Sequence, residues 1–247
     1  MLFEFGVLFL SLLNLTAVWL VYDYPSQFFW IMGIFALVLL VGVKAIAGKF
    51  RFFVLPFFLT LGAVLLLPLI DSPAESKTFI VLSSGVFYLA VLGSYRLRQY
   101  DRDKTAKAMI NLATFAALFC WFASSYGWYL NIALSIWIIM LIFAVVAFFV
   151  SYQSFLVNQL ALNRHQRIIY SVFLAYLMAG TIWMQNFWPF GYLTTGVIVL
   201  IIYYCAWDLI RDYFLGNLTV KKIIFNSFFL AGSATLILLS TRWYPAI

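Results

Sequence analysis

The chain has 247 residues, of which 66% are hydrophobic, 21% aromatic and only 9% charged. A soluble domain carries about 25% charged residues, and no water-soluble core could hide this much apolar surface, so a cytosolic globular protein is excluded. The formal net charge of +7 falls to membrane topology and anionic headgroups, and no nucleic-acid partner is expected. Lipid covers apolar surface freely but demands that each backbone polar group be paired within its own segment, so the spans should be helices. Barrel strands would alternate apolar and polar over about ten residues; the runs here are continuous and longer.

A span needs about 20 mainly apolar residues. In chain order this predicts nine, at 2–22, 28–47, 52–70, 78–95, 109–130, 132–155, 168–187, 190–209 and 223–243. The first begins MLFEF, with Glu4 where a cleavable signal would carry a cation, and no small-residue cleavage site follows, so it is expected to stay. The uncharged stretch from Met109 to Val157 is divided at Ser125-Tyr126-Gly127 to Asn131, because its length suits two spans and a tight turn. Pro189 and Gly191 end the seventh span. The N-L-T triplets at Asn14 and Asn217 match a glycosylation pattern, but one lies in a span and the other in an expected cytoplasmic loop.

The loops alternate in charge. Lys44, Lys49 and Arg51 follow span two, Arg96, Arg98, Arg102, Lys104 and Lys107 span four, Arg164 and Arg167 span six, and Arg211, Lys221 and Lys222 span eight. The other side holds only Lys77 and Arg242. Basic loops stay in the cytoplasm, which predicts a multi-pass inner-membrane protein with its N-terminus inside and its C-terminus outside.

LSSGV at residues 82–86 is echoed by LTTGV at 193–197, and IMGIFALV at 31–38 by IMLIFAVV at 139–146. These echoes fall in order at similar separations, each pairing a span with the one four later, as an internal duplication would. The predicted fold class is therefore an all-α membrane protein of nine transmembrane helices: a leading helix at 1–24 and two parallel four-helix repeats at 25–131 and 132–247. Repeats of even span number run the same way, placing a pseudo-two-fold axis along the membrane normal.

Residues able to do chemistry are few. His165 stands alone in a loop, Cys120 and Cys205 sit in separate spans, and no metal-ligand spacing or nucleophile motif occurs; no catalytic residue, metal or cofactor is expected. Asp208 and Asp212 share a helix face with Arg211 beside them, as a solvated ion-pair end would. The ligand-binding candidates are the hydroxyl clusters Ser83/Ser84 and Thr194/Thr195, which packing between helices also explains, and Trp183, Gln185, Asn186 and Trp188 in the aromatic run WMQNFWPFGY. Eight of the nine Trp residues fall in the outer half of this topology, as if an aromatic vestibule opened there. Arg96, Arg98, Lys107, Arg211, Lys221 and Lys222 are the candidates for lipid headgroups.

The run NFWPFGYLTTG at 186–196 resembles a stretch of an uncharacterised family of small polytopic bacterial membrane proteins. The resemblance covers about a helix and a half and implies an inner-membrane setting and no particular activity. The expected function is that of a non-enzymatic accessory or assembly partner that binds membrane lipids or another membrane protein. The alternative is a facilitator for a neutral or lipidic solute along the pseudo-two-fold axis.

Overall fold

The computed structural model describes residues 2–48, 52–132, 134–158, 163–188 and 190–240. Lys49, Arg51, Pro189, Arg242 and Trp243 lie outside the described residues. Among those described, the secondary structure is helical throughout: α1 Leu2–Asp23, α2 Phe28–Ala47, α3 Val54–Leu66, α4 Pro73–Gln99, α5 Lys104–Asn131, α6 Ile136–Val157, α7 Arg164–Gln185, α8 Tyr192–Phe214 and α9 Val220–Ser240.

Eight of these helices are long and apolar enough to cross a membrane; the ninth, α3, is not. It has 13 residues, and Pro68, with no N–H to continue the ladder, tightens its end into a 3-10 turn at Leu67–Leu69. At about 1.5 Å per α-helical and about 2 Å per 3-10 residue, α3 and its turn reach roughly 26 Å, short of a hydrocarbon core of about 30 Å. The expected break at Ser125-Tyr126-Gly127 is also displaced, because α5 runs through it to Asn131 and α6 starts at Ile136. Asn131 Nδ2 donates to the Gly127 carbonyl, and the Ser124 hydroxyl just before the expected turn bonds back to the Trp121 carbonyl, so local polar groups are absorbed by the helix.

The fold divides into two compact units, Met1–Ser124 and Ser125–Ile247, the boundary falling inside α5. In the first unit the Arg98 guanidinium, at the end of α4, donates to the Ala45 and Ile46 carbonyls at the end of α2 at 3.0 and 2.9 Å. A helix leaves its last carbonyls without intrahelical donors, and Arg98 supplies them. Gly48 closes the same helix end in the left-handed conformation, at φ 70°, where a side chain would be strained. Gly6 at the start of α1 also faces Ile46. The start of α1 and the ends of α2 and α4 therefore share one side of this unit.

Midway along α1 the buried Asn14 ties three helices together. Thr60 of α3 donates to its Oδ1 at 2.7 Å, and its Nδ2 reaches Ser84 Oγ of α4 at 3.5 Å. Hydrogen bonds of this kind join helices where lipid offers no hydrophobic drive for helix pairing.

In the second unit α6 and α7 form a closely packed hairpin, and α8 packs on α7 and α9 on α8. The Tyr203 and Ser151 hydroxyls meet at 2.9 Å, and Trp207 Nε1 donates to Ser154 Oγ at 3.1 Å, fixing α8 against α6. The ends of α6 and α8 thus lie together. The start of α9 joins them, because the turn at Gly216, φ 68°, returns the chain so that Lys222 Nζ reaches Asp212.

Candidate functional site

The Asn163 N–H donates to Gln166 Oε1 at 3.0 Å at the start of α7, a reciprocal cap that fixes where the helix begins. The helix ends at Gln185, where Asn186 makes the last helical bond, to the Ile182 carbonyl, and Trp188 N–H turns back to the Gln185 carbonyl at 2.9 Å. Gly191 then caps α8 in extended conformation.

Between α7, α8 and α9 lies a cleft of about 250 Å³. Gln185 and Trp188 line it from the end of α7, Ile198 and Ile202 from the first half of α8, and Leu230 and Ala234 from the second half of α9. Its lining carries no charged side chain. The Thr181 hydroxyl, one turn before Gln185, is bonded to the Leu177 carbonyl at 2.8 Å.

Gln185 is 2% exposed, and neither Nε2 nor Oε1 has a hydrogen-bond partner. A primary amide offers two donors and an acceptor, and leaving a buried polar group unmatched costs about 1–3 kcal/mol. Gln153 of α6 is also buried and unpaired but does not line the cleft. A hollow of about 520 Å³ between α1 and α2 is lined by Leu10, Leu37, Val41 and Ile46, with Phe9 and glycines, and no polar side chain. The cleft differs from that hollow in holding an unmet hydrogen-bonding demand within an apolar wall.

The other ligand-binding candidates are dispersed. Trp183 is half exposed and sets its ring edge-on to Phe187; Asn186 accepts from the Tyr129 hydroxyl at 2.7 Å. Ser83 bonds back to the Ile80 carbonyl and Ser84 belongs to the Asn14 cluster, both in the first unit. Thr195 is fully buried and Thr194 half-buried in the second.

Of the headgroup candidates, four make contacts inside the protein. Arg96 pairs with Asp103 at 2.8 Å, and Arg98 holds the end of α2. Arg211 lies 3.4 Å from both Asp208 and Asp212 with its guanidinium over the Trp207 ring, and Lys222 pairs with Asp212. Asp212 is 4% exposed, so the expected solvated ion-pair end is a buried clasp, completed by Asn226 donating to Asp208 at 3.2 Å. Lys107 is half-buried and Lys221 exposed. At the α4–α5 turn, the Ala106 backbone N–H, with the Arg96 charge and the Thr105 N–H, holds the Asp103 carboxyl below its usual value of 3.8 against some opposing desolvation. Among the described residues no three of His, Cys, Asp and Glu gather at ligating distance.

A family model described as Protein of unknown function (DUF5656) matches residues 20–240. The chain belongs to this family. No curated protein and no solved structure matches the chain. The DUF5656 match takes in every residue that lines the cleft and the whole Asp208–Asp212–Lys222 clasp, whereas Asn14 lies before it. Two signals in the sequence mark the site: Gln185 is a polar residue within an aromatic run, and Gly191 follows it closely. The walls from α8 and α9 left none, since Ile198, Ile202 and Leu230 look like any lipid-facing aliphatic residue.

Proposed function

We propose that the protein is a non-enzymatic, multi-pass inner-membrane protein of accessory type that holds the hydrocarbon chain of a lipid in the cleft between α7, α8 and α9. The observation that carries this reading is the cleft itself, apolar along its walls and bordered by a buried, unpaired amide. Both α7 and α9 pack on α8 and leave the gap between them, a geometry that admits a chain sideways from the bilayer. The volume of about 250 Å³ and the apolar walls suit a hydrocarbon chain. Helix α9 is the least buried of the eight apolar helices, 6% over its apolar window, so this wall of the cleft is the thinnest.

The test is photolabelling of the full chain in bilayers with a single-chain glycerol ester carrying a diazirine at its chain end. Label should concentrate on the peptides holding Ile198 to Ile202 and Leu230 to Ala234. Filling the cleft by Ala234→Trp, or by the smaller Ile202→Phe should the first variant fail to fold, should cut that label at least fivefold. Labelling no denser there than at Leu37 and Val41 of α2, and unchanged in the filled variants, contradicts the proposal.

A further inference from the structure

Resting on that reading of the cleft, we infer that its ligand is a neutral lipid whose head carries a free hydroxyl or N–H beside the chain, recognised by the Gln185 side-chain amide. Three observations carry this. The Gln185 amide is buried with both its donor and its acceptor side unpaired. The lining of the cleft holds no charged residue that could meet a phosphate or a carboxylate. Gln185 is the last residue of a 22-residue helix, about 33 Å long at 1.5 Å per residue, so it lies at an end of the span, and a helix of that length crossing a core of about 30 Å would bring it to the level where lipid heads join their chains.

Hydrogen-bond stoichiometry selects the head. An ester or a phosphodiester offers only acceptors; it would satisfy Nε2 and leave Oε1 orphaned. A hydroxyl both gives and accepts, and a secondary amide does so through its N–H and its C=O together, so either answers both sides of the Gln185 amide. The amide is covered by its neighbours, so the head meets it when the Gln185 side chain turns into the open volume beside it. Trp188, 39% exposed and set edge-on to Phe190, places a ring at the same level, where an amphipathic side chain suits the boundary between head and chain.

The experiment is competition against the photolabel by two lipids with the same acyl chain, a monoacylglycerol and the corresponding methyl ester, which differ in hydroxyl donors. In the native chain the monoacylglycerol should compete about tenfold better, the ratio that one satisfied hydrogen bond in an apolar site supports. In Gln185→Leu, or Gln185→Met where leucine disturbs packing, the two should compete equally while label stays in the cleft. Equal competition in the native chain, or a preference that survives both substitutions, overturns the inference and leaves the chain-binding reading standing. A phosphatidylcholine of the same chain that competes as well as the monoacylglycerol overturns it also. Absence of label from the cleft overturns both.

Discussion

Lys222→Met tests whether the α8–α9 turn is held by its buried clasp. The substitution removes the ammonium that pairs with Asp212, a carboxylate 4% exposed. Orphaning a buried charge entirely costs about 3–5 kcal/mol, but Arg211 remains 3.4 Å away and is shared with Asp208 at the same distance. Retaining half of the compensation leaves an expected loss of about 2 kcal/mol. Asp212→Asn works differently, because it removes the buried charge and leaves two cations, Lys222 at 45% and Arg211 at 32% exposure, which can turn towards water as long basic side chains do. Its expected cost is about 1 kcal/mol, close to that of an exposed pair. The double variant should then resemble Asp212→Asn alone, a coupling of about 2 kcal/mol. Reversible unfolding in mixed micelles, run as a double-mutant cycle, measures all three. Additive losses, or a Lys222→Met cost no larger than that of Asp212→Asn, would refute a clasp built around a buried carboxylate.

Other contacts give similarly definite expectations. Arg98→Met should cost about 1–3 kcal/mol in the same assay by stranding the Ala45 and Ile46 carbonyls, and Arg98→Lys should recover only part, since a lysine cannot reproduce the planar fork. Gly93→Ala sets a methyl 2.9 Å from Ile110 Cγ1 and 3.0 Å from the Ala106 carbonyl oxygen, which is backbone and cannot step aside; a loss of about 1–3 kcal/mol is expected, read as an earlier unfolding midpoint. Because the folded Asp103 carboxyl titrates below its usual value of 3.8, its contribution is complete above that value and is lost as pH falls below it through the lowered one. Hydrogen exchange at the Thr105 and Ala106 amides should therefore lose protection over that acidic window in the native chain, and Asp103→Asn should remove the pH dependence.

Much of the helix order was legible because each apolar run must supply its own backbone pairing. Predicted limits and observed helices agree closely wherever a run is unbroken, as for residues 28–47 in α2. They part where a local polar residue has a choice of partner. Asn131 bonded back into α5 instead of opening a turn, and Pro68 shortened α3 more than its hydropathy suggests. Tertiary partners were hidden for a different reason. Asn14 finds Thr60 and Ser84 across 46 and 70 residues, and four of the six basic residues offered for headgroups found carboxylates and carbonyls inside the protein. Nothing in single-chain spacing ranks such partners against lipid. The echoing motifs agree in part: Leu82 and Leu193 are both exposed and Ser84 and Thr195 both buried, while Gly196 is buried and Gly85 exposed with nothing within 4 Å of a Cβ.

The most direct test of the proposed chain-binding cleft is a structure of the protein in a lipid nanodisc. The account predicts a single elongated density between α7 and α9, running from Gln185 past Ile198 and Ile202 towards Leu230, with its polar end against the Gln185 amide. A gap closed by α9 settling onto α7, with Gln185 bonded to a protein group, would contradict it.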